Sequence, residues 1–480
     1  MAVRVDTPQL QIILQKKVKN QAGKSARYQG AQGTLDLAPW LTEDASVTIT
    51  RQINAPAGTF QISLTDRAVF HDGTMDSLYG VVEPMDMVEI RMARNASDYS
   101  SGGAKLPLVF RGIVSTIARD ESMGQDGKPR RSIAIGGHDW GKFFYVIQNR
   151  WFKGNPLNEN WISSWHMQTI NDIQFQIMTA GETIKSLVDN VANKFIRQLP
   201  GADMPEFTVD ASGADDADKV FPQGFQTLSG GTLWSYLQTF GDLGPFYELF
   251  IEDEEAGPKI IYRKPAYTTA EGKVVYNKRP DAVVIDPVNI THIAVSRSDS
   301  DVANWWWIDH RRLALIQGQT ATMFEMPAND INPFLDTPNT DRHLYGLRPM
   351  EVVSNHGFMH QSEKASVVNQ DNQTMLDYSR AKRLKLQDAN KDNLVFENGQ
   401  MTMAGNEKVK VGQQLLVDRG GEVSAYYAQS VTHTFQPFRS FTTTVGFLRG
   451  TGFVVRSAND LIGTKHPYLS EIGHGPYESK

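Results

Sequence analysis

The sequence predicts a mainly β fold with inserted helices (α+β), in which two antiparallel β-domains related by duplication flank a smaller helical and β-hairpin connecting region. Three observations predict this class. Apolar and polar residues alternate with a period of two in segments near both ends of the chain. Helical periodicity is confined to the middle of the chain and to one later segment. The β-patterns of the first part recur in the same order near the end.

The first β-domain is expected over residues 1–145. Residues 45–66 predict two strands joined by a turn at 55–58, because apolar side chains occupy alternate positions on both sides of that turn. These alternating residues are Val47, Ile49, Phe60, Ile62 and Leu64. Further strands are predicted at 87–93, 106–119 and 130–139. Together the segments predict a compact antiparallel β-domain.

The connecting region is expected over residues 146–285. A helix is predicted to begin at Thr179, because Glu182 three residues later completes the spacing of a capping box. The apolar face of this helix comprises Ile184, Leu187, Val188, Val191 and Phe195. A second helix is predicted at 232–240, before a β-hairpin. The acidic tip of that hairpin, residues 252–255, is more typical of a solvated turn than of a metal site.

The second β-domain is expected over residues 286–455, with an inserted helix near 372–390, and a C-terminal tail follows at 456–480. Residues 47–62 match residues 293–308 without a gap. The matched pairs include Val47 with Ile293, Ile49 with Val295, Arg51 with Arg297, Phe60 with Trp306, and Ile62 with Ile308. In this alignment, the start of the second domain corresponds to the start of the first.

A second match follows in the same order. Residues 110–117 resemble residues 427–435, and an Arg-Ser strand start comes shortly after each of them. The matched residues are Phe110 with Tyr427, Val114 with Val431, Arg131 with Arg439, and Ser132 with Ser440. Two matches in one order predict that the β-domain is duplicated.

Composition excludes several classes of protein. The net charge of −6 argues against a dedicated nucleic-acid binder, which normally carries a basic excess. The absence of cysteine excludes disulfides, thiolate metal sites and cysteine nucleophiles. The N-terminus lacks the apolar core of a signal peptide, and no apolar run approaches the roughly 20 residues of a membrane-spanning helix. We therefore expect a protein made and folded in the cytosol.

No catalytic constellation is evident, and no catalytic, cofactor-binding or metal-binding residues are predicted. His138 and Asp139 are adjacent on a predicted strand, so their side chains point to opposite faces and are poorly placed to share a metal. The eleven histidines show no zinc-site spacing, and no phosphate-binding glycine motif or nucleophile elbow is present. Glycosidase carboxylates carry no universal signature, so an enzyme stays an alternative.

The chain resembles the baseplate hub proteins of contractile bacteriophage tails, which are related to the hub part of type VI secretion spike proteins. The resemblance extends from about residue 45 to residue 453. The segments that carry it are VTITRQINAPAGTFQISLTD, PLVFRGIVSTIARD with RSIAIGGHDW, FYELFIEDEEAGPKIIYRKP, SRSDSDVANWW, YGLRPMEV and YYAQSVTHTFQPFRSFTTTVGFLRGTGF.

This resemblance implies two tail-tube-like β-barrel domains in each chain of a homotrimer. Three such chains give six similar barrels in a ring, which joins a sixfold tail tube to a threefold central spike. The implied partners are the tail tube protein, the central spike protein and other baseplate proteins, in the baseplate of a virion assembled in the bacterial cytoplasm. DNA would pass through the ring without specific binding, and no cofactor is implied. An acidic channel wall, which repels phosphates, is a further expectation.

Two alternatives belong to other functional classes. One is a cell-wall-degrading tail protein, and the other is a glycan-binding tail protein with the tryptophans as a stacking platform. A phage, a phage-like bacteriocin and a secretion system are not separated by the sequence.

Three consecutive tryptophans form the most unusual short motif. The repeat match places Trp306 and Ile308 at core positions, opposite Phe60 and Ile62. Trp305 and Trp307 then lie on the opposite face of the same strand. Because large aromatic side chains are typical anchors of protein interfaces, we expect Trp305 and Trp307 to be buried against another subunit, another domain or a neighbouring loop.

Overall fold

The fold is taken from a computed structural model. It describes residues 6–16, 33–71, 74–100, 105–123, 127–148, 178–199, 204–220, 231–270, 272–276, 281–310, 334–357, 365–419 and 422–451. The expected C-terminal tail at 456–480 lies outside the described residues.

Strands dominate the described residues, and helices are few. The strands in the first half are β1 (Gln9–Gln15), β2 (Thr34–Asp36), β3 (Ser46–Gln52), β4 (Thr59–Thr65), β5 (Ala68–His71), β6 (Thr74–Ser77), β7 (Met87–Ala93), β8 (Leu108–Met123), β9 (Pro129–His138), β10 (Met178–Thr179), β11 (Thr208–Gly213) and β12 (Lys219–Val220). Those in the second half are β13 (Glu248–Glu254), β14 (Gly257–Arg263), β15 (Ala282–Ile285), β16 (Ile290–Ser296), β17 (Trp305–His310), β18 (Pro349–Ser354), β19 (His356–Gly357), β20 (Glu397–Ala404), β21 (Gln414–Arg419), β22 (Glu422–Gln436) and β23 (Ser440–Gly450).

The helices are mostly short, and four of the eight in the described residues lie between β9 and β15. They are α1 (Leu78–Val81), α2 (Ser97–Ser100), α3 (Lys142–Val146), α4 (Ala180–Leu187), α5 (Lys194–Gln198), α6 (Leu233–Gly241), α7 (Arg342–Tyr345) and α8 (Ala365–Asn390). A π-helical segment, Val188–Asn193, joins α4 to α5. Two 3₁₀ turns lie at Ala38–Trp40 and Pro287–Asn289.

The mainly β prediction is confirmed, but thirteen of the described strands form one open sheet. Its order is β16-β20-β23-β22-β3-β4-β9-β8-β7-β1-β2, with β21 beside β22 and β15 beside β21. Neighbouring strands along this path are antiparallel, and only β15 and β21 run parallel. The expectation of two closed barrels is therefore wrong for the described strands. The reason is that β3 and β22 hydrogen-bond to each other, which merges the two β-rich parts edge to edge.

One face of this sheet is covered and apolar. In the first part, alternate residues of β3, β4 and β9 point into one hydrophobic core. In the second part, alternate residues of β20, β22 and β23 point into another. A third core belongs to the connecting region and is built from α3, α4, α6 and the β13–β14 hairpin. Period-two alternation therefore separates a covered face from an open one in β3, β4, β9, β20 and β23, whereas β7 is buried on both faces.

The capping box at the start of α4 is confirmed. The Thr179 hydroxyl accepts a hydrogen bond from the Glu182 amide, and the Glu182 carboxylate accepts one from the Thr179 amide. Helix α6 begins after Thr232 in a similar way. Helix α8 is longer at its start than the predicted 372–390. The starts of α4 and α6 follow from local side-chain hydrogen bonds, which is why sequence spacing predicts them.

Candidate assembly interface

The three tryptophans lie on β17, and their sides are as predicted. Trp306 is fully buried and Ile308 nearly so, within the core of the connecting region. Trp305 and Trp307 project from the other face and stack on each other, with ring centroids 6.1 Å apart and an interplanar angle of 15°. Trp305 is half-buried and Trp307 is 39% exposed. Whether another subunit covers these two rings stays a prediction.

The partner of β17 corrects the sequence match at this point. The match placed residues 305–308 opposite β4, which pairs antiparallel with β3. Strand β17 instead pairs parallel with β18 in a separate two-stranded sheet. The antiparallel partner of β16 is β20, roughly a hundred residues later in the chain. The match therefore applies to β3 and β16 and ends before the tryptophans, because a long insertion separates β16 from its sheet neighbour.

Two long edges of the sheet are open among the described residues. Strand β16 pairs with β20 on one side only. Strand β8 pairs with β9 along most of its length, but its pairing with β7 ends at Ile113. The outer edge of residues 115–123 therefore has no strand beside it in the described part of the chain. Exposed strand edges present unpaired amides and carbonyls and are templates for pairing with another chain.

The open face of the sheet is formed mainly by small, neutral side chains. We call it the hydroxyl face and define it by alternate residues of eight consecutive strands: His292, Ala294 and Ser296 on β16; Gln400, Thr402 and Ala404 on β20; Thr442, Thr444 and Gly446 on β23; Ser430, Thr432 and Thr434 on β22; Thr48, Thr50 and Gln52 on β3; Thr59, Gln61 and Ser63 on β4; Ser132, Ala134 and Gly136 on β9; Thr116, Ala118 and Asp120 on β8. None of these residues is buried.

Hydroxyl groups of neighbouring strands meet on this face. The Thr50 and Thr432 hydroxyls are 3.1 Å apart across the β3–β22 junction. The Thr402 and Thr444 hydroxyls are 3.2 Å apart across β20 and β23. Cross-strand threonine pairs of this kind stabilise a sheet modestly. They also show that the hydroxyl face continues across the junction between the two β-rich parts.

The acidic hairpin tip is not a simple solvated turn, which corrects the sequence interpretation. Asp253 is buried, pairs with Arg51 of β3, and accepts a hydrogen bond from the Arg111 amide of β8 at 2.6 Å. Glu255 accepts two hydrogen bonds from the Arg91 guanidinium, at 2.7 and 2.6 Å. Bidentate arginine–carboxylate pairs combine strength with fixed geometry. They fasten the hairpin to the covered face of the sheet.

A buried cluster of charged groups holds α8 against the connecting region. One Asp218 oxygen accepts hydrogen bonds from the Tyr247 hydroxyl and the Lys264 ammonium, both at 2.6 Å. The other oxygen accepts one from the Tyr378 hydroxyl at 2.5 Å and lies 3.4 Å from the Lys382 nitrogen. Burial alone would raise the pKa of Asp218, but Lys382 and the other neighbouring cations hold that pKa well below its usual range.

Asp242 forms the second half of this cluster. It accepts hydrogen bonds from the Ser354 hydroxyl at 2.5 Å and from the Asn355 amide at 2.7 Å. The His356 ring nitrogen lies 3.3 Å from it, and Lys382 lies 3.6 Å from it. Burial would raise the pKa of Asp242, and His356 and Lys382 outweigh burial and lower it. No signal in the sequence predicted this cluster, because its members come from segments far apart in the chain.

The charged groups of this cluster are enclosed by the protein. Asp218, Asp242, His356 and Lys382 are each at most 6% exposed, and their polar atoms bind one another. Among the described residues, no group of three or more histidine or acidic side chains is arranged to hold a metal ion. The helices in the described ranges include none with the length and apolar character needed to cross a membrane.

Comparison with known proteins gives structural likeness only. No protein-family model matches the sequence. No curated protein matches it either. A tail protein from Neisseria meningitidis MC58 is similar at a TM-score of 0.46 and 11% identity, over 92% of this chain and 96% of that one. A 43 kDa tail protein of prophage MuSo2 from Shewanella oneidensis has a TM-score of 0.46 and 12% identity, over 92% and 97%. A prophage tail protein from Listeria monocytogenes EGD-e has 0.41 and 9%, over 91% and 94%.

Proposed function

We propose that this chain is the structural hub of a contractile-tail baseplate. It would form a homotrimeric ring that joins a sixfold tail tube to a threefold central spike and encloses part of the channel through which the genome leaves. The sequence resemblance supports this proposal. The observation that carries it is the agreement of strand order and register between the two β-rich parts of the sheet.

The strand order is the same in both parts. The first part reads β3-β4-β9-β8, and the second part reads β16-β20-β23-β22. Strands β8 and β22 each contain a bulge opposite the next strand, after Val114 and after Ala428. Strand β7 then flanks the first half of β8, as β21 flanks the first half of β22. This correspondence supports duplication of a tail-tube-like unit.

Register provides an independent check. The sequence match of β3 with β16 can be extended to the neighbouring strands through their pairing. Ser63 on β4 then corresponds to Thr402 on β20, and Ala134 on β9 corresponds to Thr444 on β23. Starting instead from the two bulges, Gly137 corresponds to Phe447, which again places Ala134 on Thr444. The sequence alone matched Val114 with Val431. The positions of the bulges show that Val114 corresponds to Ala428 instead. The β3–β16 match and the two bulges therefore give the same residue-by-residue correspondence between the two sets of four strands.

The pairing of β22 with β3 inside the chain predicts how strands of neighbouring chains would pair. Residues 430–435 of β22 pair with β3. The corresponding part of β8 and the counterpart of β3, which is β16, are the two long open edges described above; β2 and β15 are short edge strands. We infer that β8 of one subunit pairs with β16 of the next, from Thr116 opposite Ser298 to Glu121 opposite Ile293. A head-to-tail contact of this kind closes a ring when its rotation is suitable, and two units per chain in three chains make six.

Cysteine cross-linking tests this pairing, because the chain contains no cysteine of its own. Thr50 lies opposite Thr432 within the chain, and the corresponding positions between chains are Ser296 and Ala118. The double variant Ala118→Cys with Ser296→Cys is expected to form disulfide-linked trimers on oxidation. Directly opposed cross-strand residues lie about 4.5–5.5 Å apart, within the range that a disulfide spans.

Two matched variants control this experiment. Thr50→Cys with Thr432→Cys should close a disulfide within one chain and so reports that oxidation works. Ala118→Cys with Val295→Cys places the two thiols on opposite faces of the proposed sheet and should link poorly. Equal linkage by the Val295 variant, or no linkage between chains while the Thr50 control closes, would contradict the proposed ring.

Further partners belong to this proposal. A tail tube protein, a central spike protein and other baseplate proteins would contact the rims and the outer side of the ring, in the virion tail. Trp305 and Trp307 would lie in one of these protein interfaces. Removal of both rings, by Trp305→Ala with Trp307→Ala, would then weaken assembly with partners and leave the isolated chain folded.

A further inference from the structure

The hydroxyl face lacks charge to a degree that the composition does not explain. Charged residues make up 21% of the chain, and exposed protein surfaces normally carry more than the average. Yet across eight strands the defining residues of this face include no lysine, arginine or glutamate, and Asp120 alone among them carries a formal charge. Most of the others are serine, threonine, glutamine, alanine or glycine. The same alternation adds one exposed arginine, Arg130, which lies opposite Ser122 near the hairpin end of β8 and β9.

The closed ring determines which way this face points. Eight strands from each of three chains, spaced about 4.8 Å apart, make a circumference of roughly 115 Å and a backbone diameter of about 37 Å, which strand tilt increases. The connecting region covers the other face, through contacts such as those of Asp253 with Arg51 and Arg111. A compact unit of its length is itself about 37 Å across. Three of them do not fit inside, so the covered face is outside and the hydroxyl face lines the bore.

We propose that the hydroxyl face is a neutral, non-binding wall for duplex DNA, an inference that rests on the proposed function. With no lysine, and with Arg130 near one end of β9 as its single arginine, the wall makes few phosphate ion pairs and releases few counterions, which are the main source of affinity for DNA. The small hydroxyl and amide groups stay hydrated and keep the phosphates separated from the protein by water. This replaces the expectation of an acidic wall: passage is permitted by the absence of attraction, and repulsion is not needed.

The experiment introduces charge on the wall of the covalently closed ring. The background is the Ala118→Cys with Ser296→Cys trimer, and the added substitution is Thr50→Lys, which places three lysines in the bore. The matched control is Leu344→Lys, at a 68% exposed position outside the sheet. Retention of a linear duplex and of a covalently closed circular duplex is measured for each ring between 50 and 200 mM salt.

The expected result depends on DNA topology. A closed ring can thread onto linear DNA but not onto a closed circle, so the Thr50→Lys ring should retain the linear duplex alone. With three phosphate contacts, its affinity should fall roughly 40-fold between 50 and 200 mM salt. The ring without added lysine should retain neither DNA, and the Leu344→Lys ring should not distinguish linear from circular.

Three outcomes overturn the inference. They are tight binding of DNA by the ring without added lysine, equal retention of linear and circular DNA by the Thr50→Lys ring, and identical behaviour of the Thr50→Lys and Leu344→Lys rings. Each of these leaves the closed trimer, and so the proposed function, intact. Failure of the Ala118 and Ser296 cysteines to link chains overturns the ring itself, which separates the two failures.

Discussion

At the scale of single residues, the three consecutive tryptophans lie on two different faces of β17. Trp306 is enclosed in the core of the connecting region, while Trp305 and Trp307 stack on the opposite face of β17. The alternation of a strand explains both facts. The predicted side of Trp306 was right, but its surroundings were not: it packs in the connecting region and is not the counterpart of Phe60 in the sheet.

Substitution of these tryptophans should have unequal effects on stability. Trp306→Ala removes a fully buried ring and should lower the free energy of unfolding by about 3–5 kcal/mol. Trp307→Ala, at a 39% exposed position, should change it by less than about 1 kcal/mol. Urea unfolding monitored by circular dichroism measures both values. Trp306→Phe is the matched control and should recover most of the loss, since the indole nitrogen has no acceptor among the described residues.

His433 should make stability depend on pH. It is buried, its ring nitrogen lies 3.0 Å from the Thr443 hydroxyl, and burial together with Arg51 lowers its pKa to about 4. The unfolded chain binds a proton below about pH 6.5, whereas the folded chain binds it only near pH 4. The contribution of neutral His433 is therefore complete above pH 6.5 and is lost as pH falls to 4, by up to about 3 kcal/mol.

Comparison with His433→Asn isolates this contribution, because asparagine preserves the contact with Thr443 and does not titrate. The unfolding free energy of the native chain should fall relative to that of the variant as pH decreases from 7 to 4. A constant difference over this range would show that His433 does not titrate as proposed. Other groups, including Asp139, whose pKa burial raises to about 7, affect both proteins equally.

At the scale of elements, local patterns predicted what local forces build. The strands β3, β4, β8 and β9 follow from period-two alternation, and the start of α4 follows from its capping box. The contacts between elements had no such signal. Asp218 and Lys382 are 164 positions apart, yet their pairing helps to hold α8 against the connecting region. Distant pairs become visible only when the chain is folded.

Asp218→Asn should show how strongly this cluster holds the elements together. The substitution leaves Lys264 and Lys382 buried without their shared carboxylate and should cost about 3–5 kcal/mol of unfolding free energy. The matched control is Asp215→Asn in the same loop, whose ion pair with Lys385 is longer, at 3.7 Å, and partly exposed. Its cost should be under about 1 kcal/mol. If chemical denaturation shows that Asp218→Asn lowers the unfolding free energy no more than Asp215→Asn does, the cluster contributes little to stability.

At the scale of the whole molecule, the sheet is the structure on which the proposed function depends. The two β-rich parts join through β3 and β22, and the proposed repetition of this geometry between chains would pair the open edges of β8 and β16. A trimer would carry about −18 formal charges, three times the −6 of one chain. The defining residues of the hydroxyl face contribute only Asp120 to the charge of each chain.

The sequence by itself determined the mainly β class, the covered and open sides of β3, β4 and β17, the helix start at Thr179 and the matching order of two β-patterns. These are properties of neighbouring residues, which alternation and capping report directly. Tertiary structure alone decided that the two parts share one open sheet, that β17 leaves it, and that Asp253 and Asp218 are paired with cations. Those outcomes depend on hydrogen bonds and ion pairs between segments far apart in the chain, whose partners no local pattern specifies.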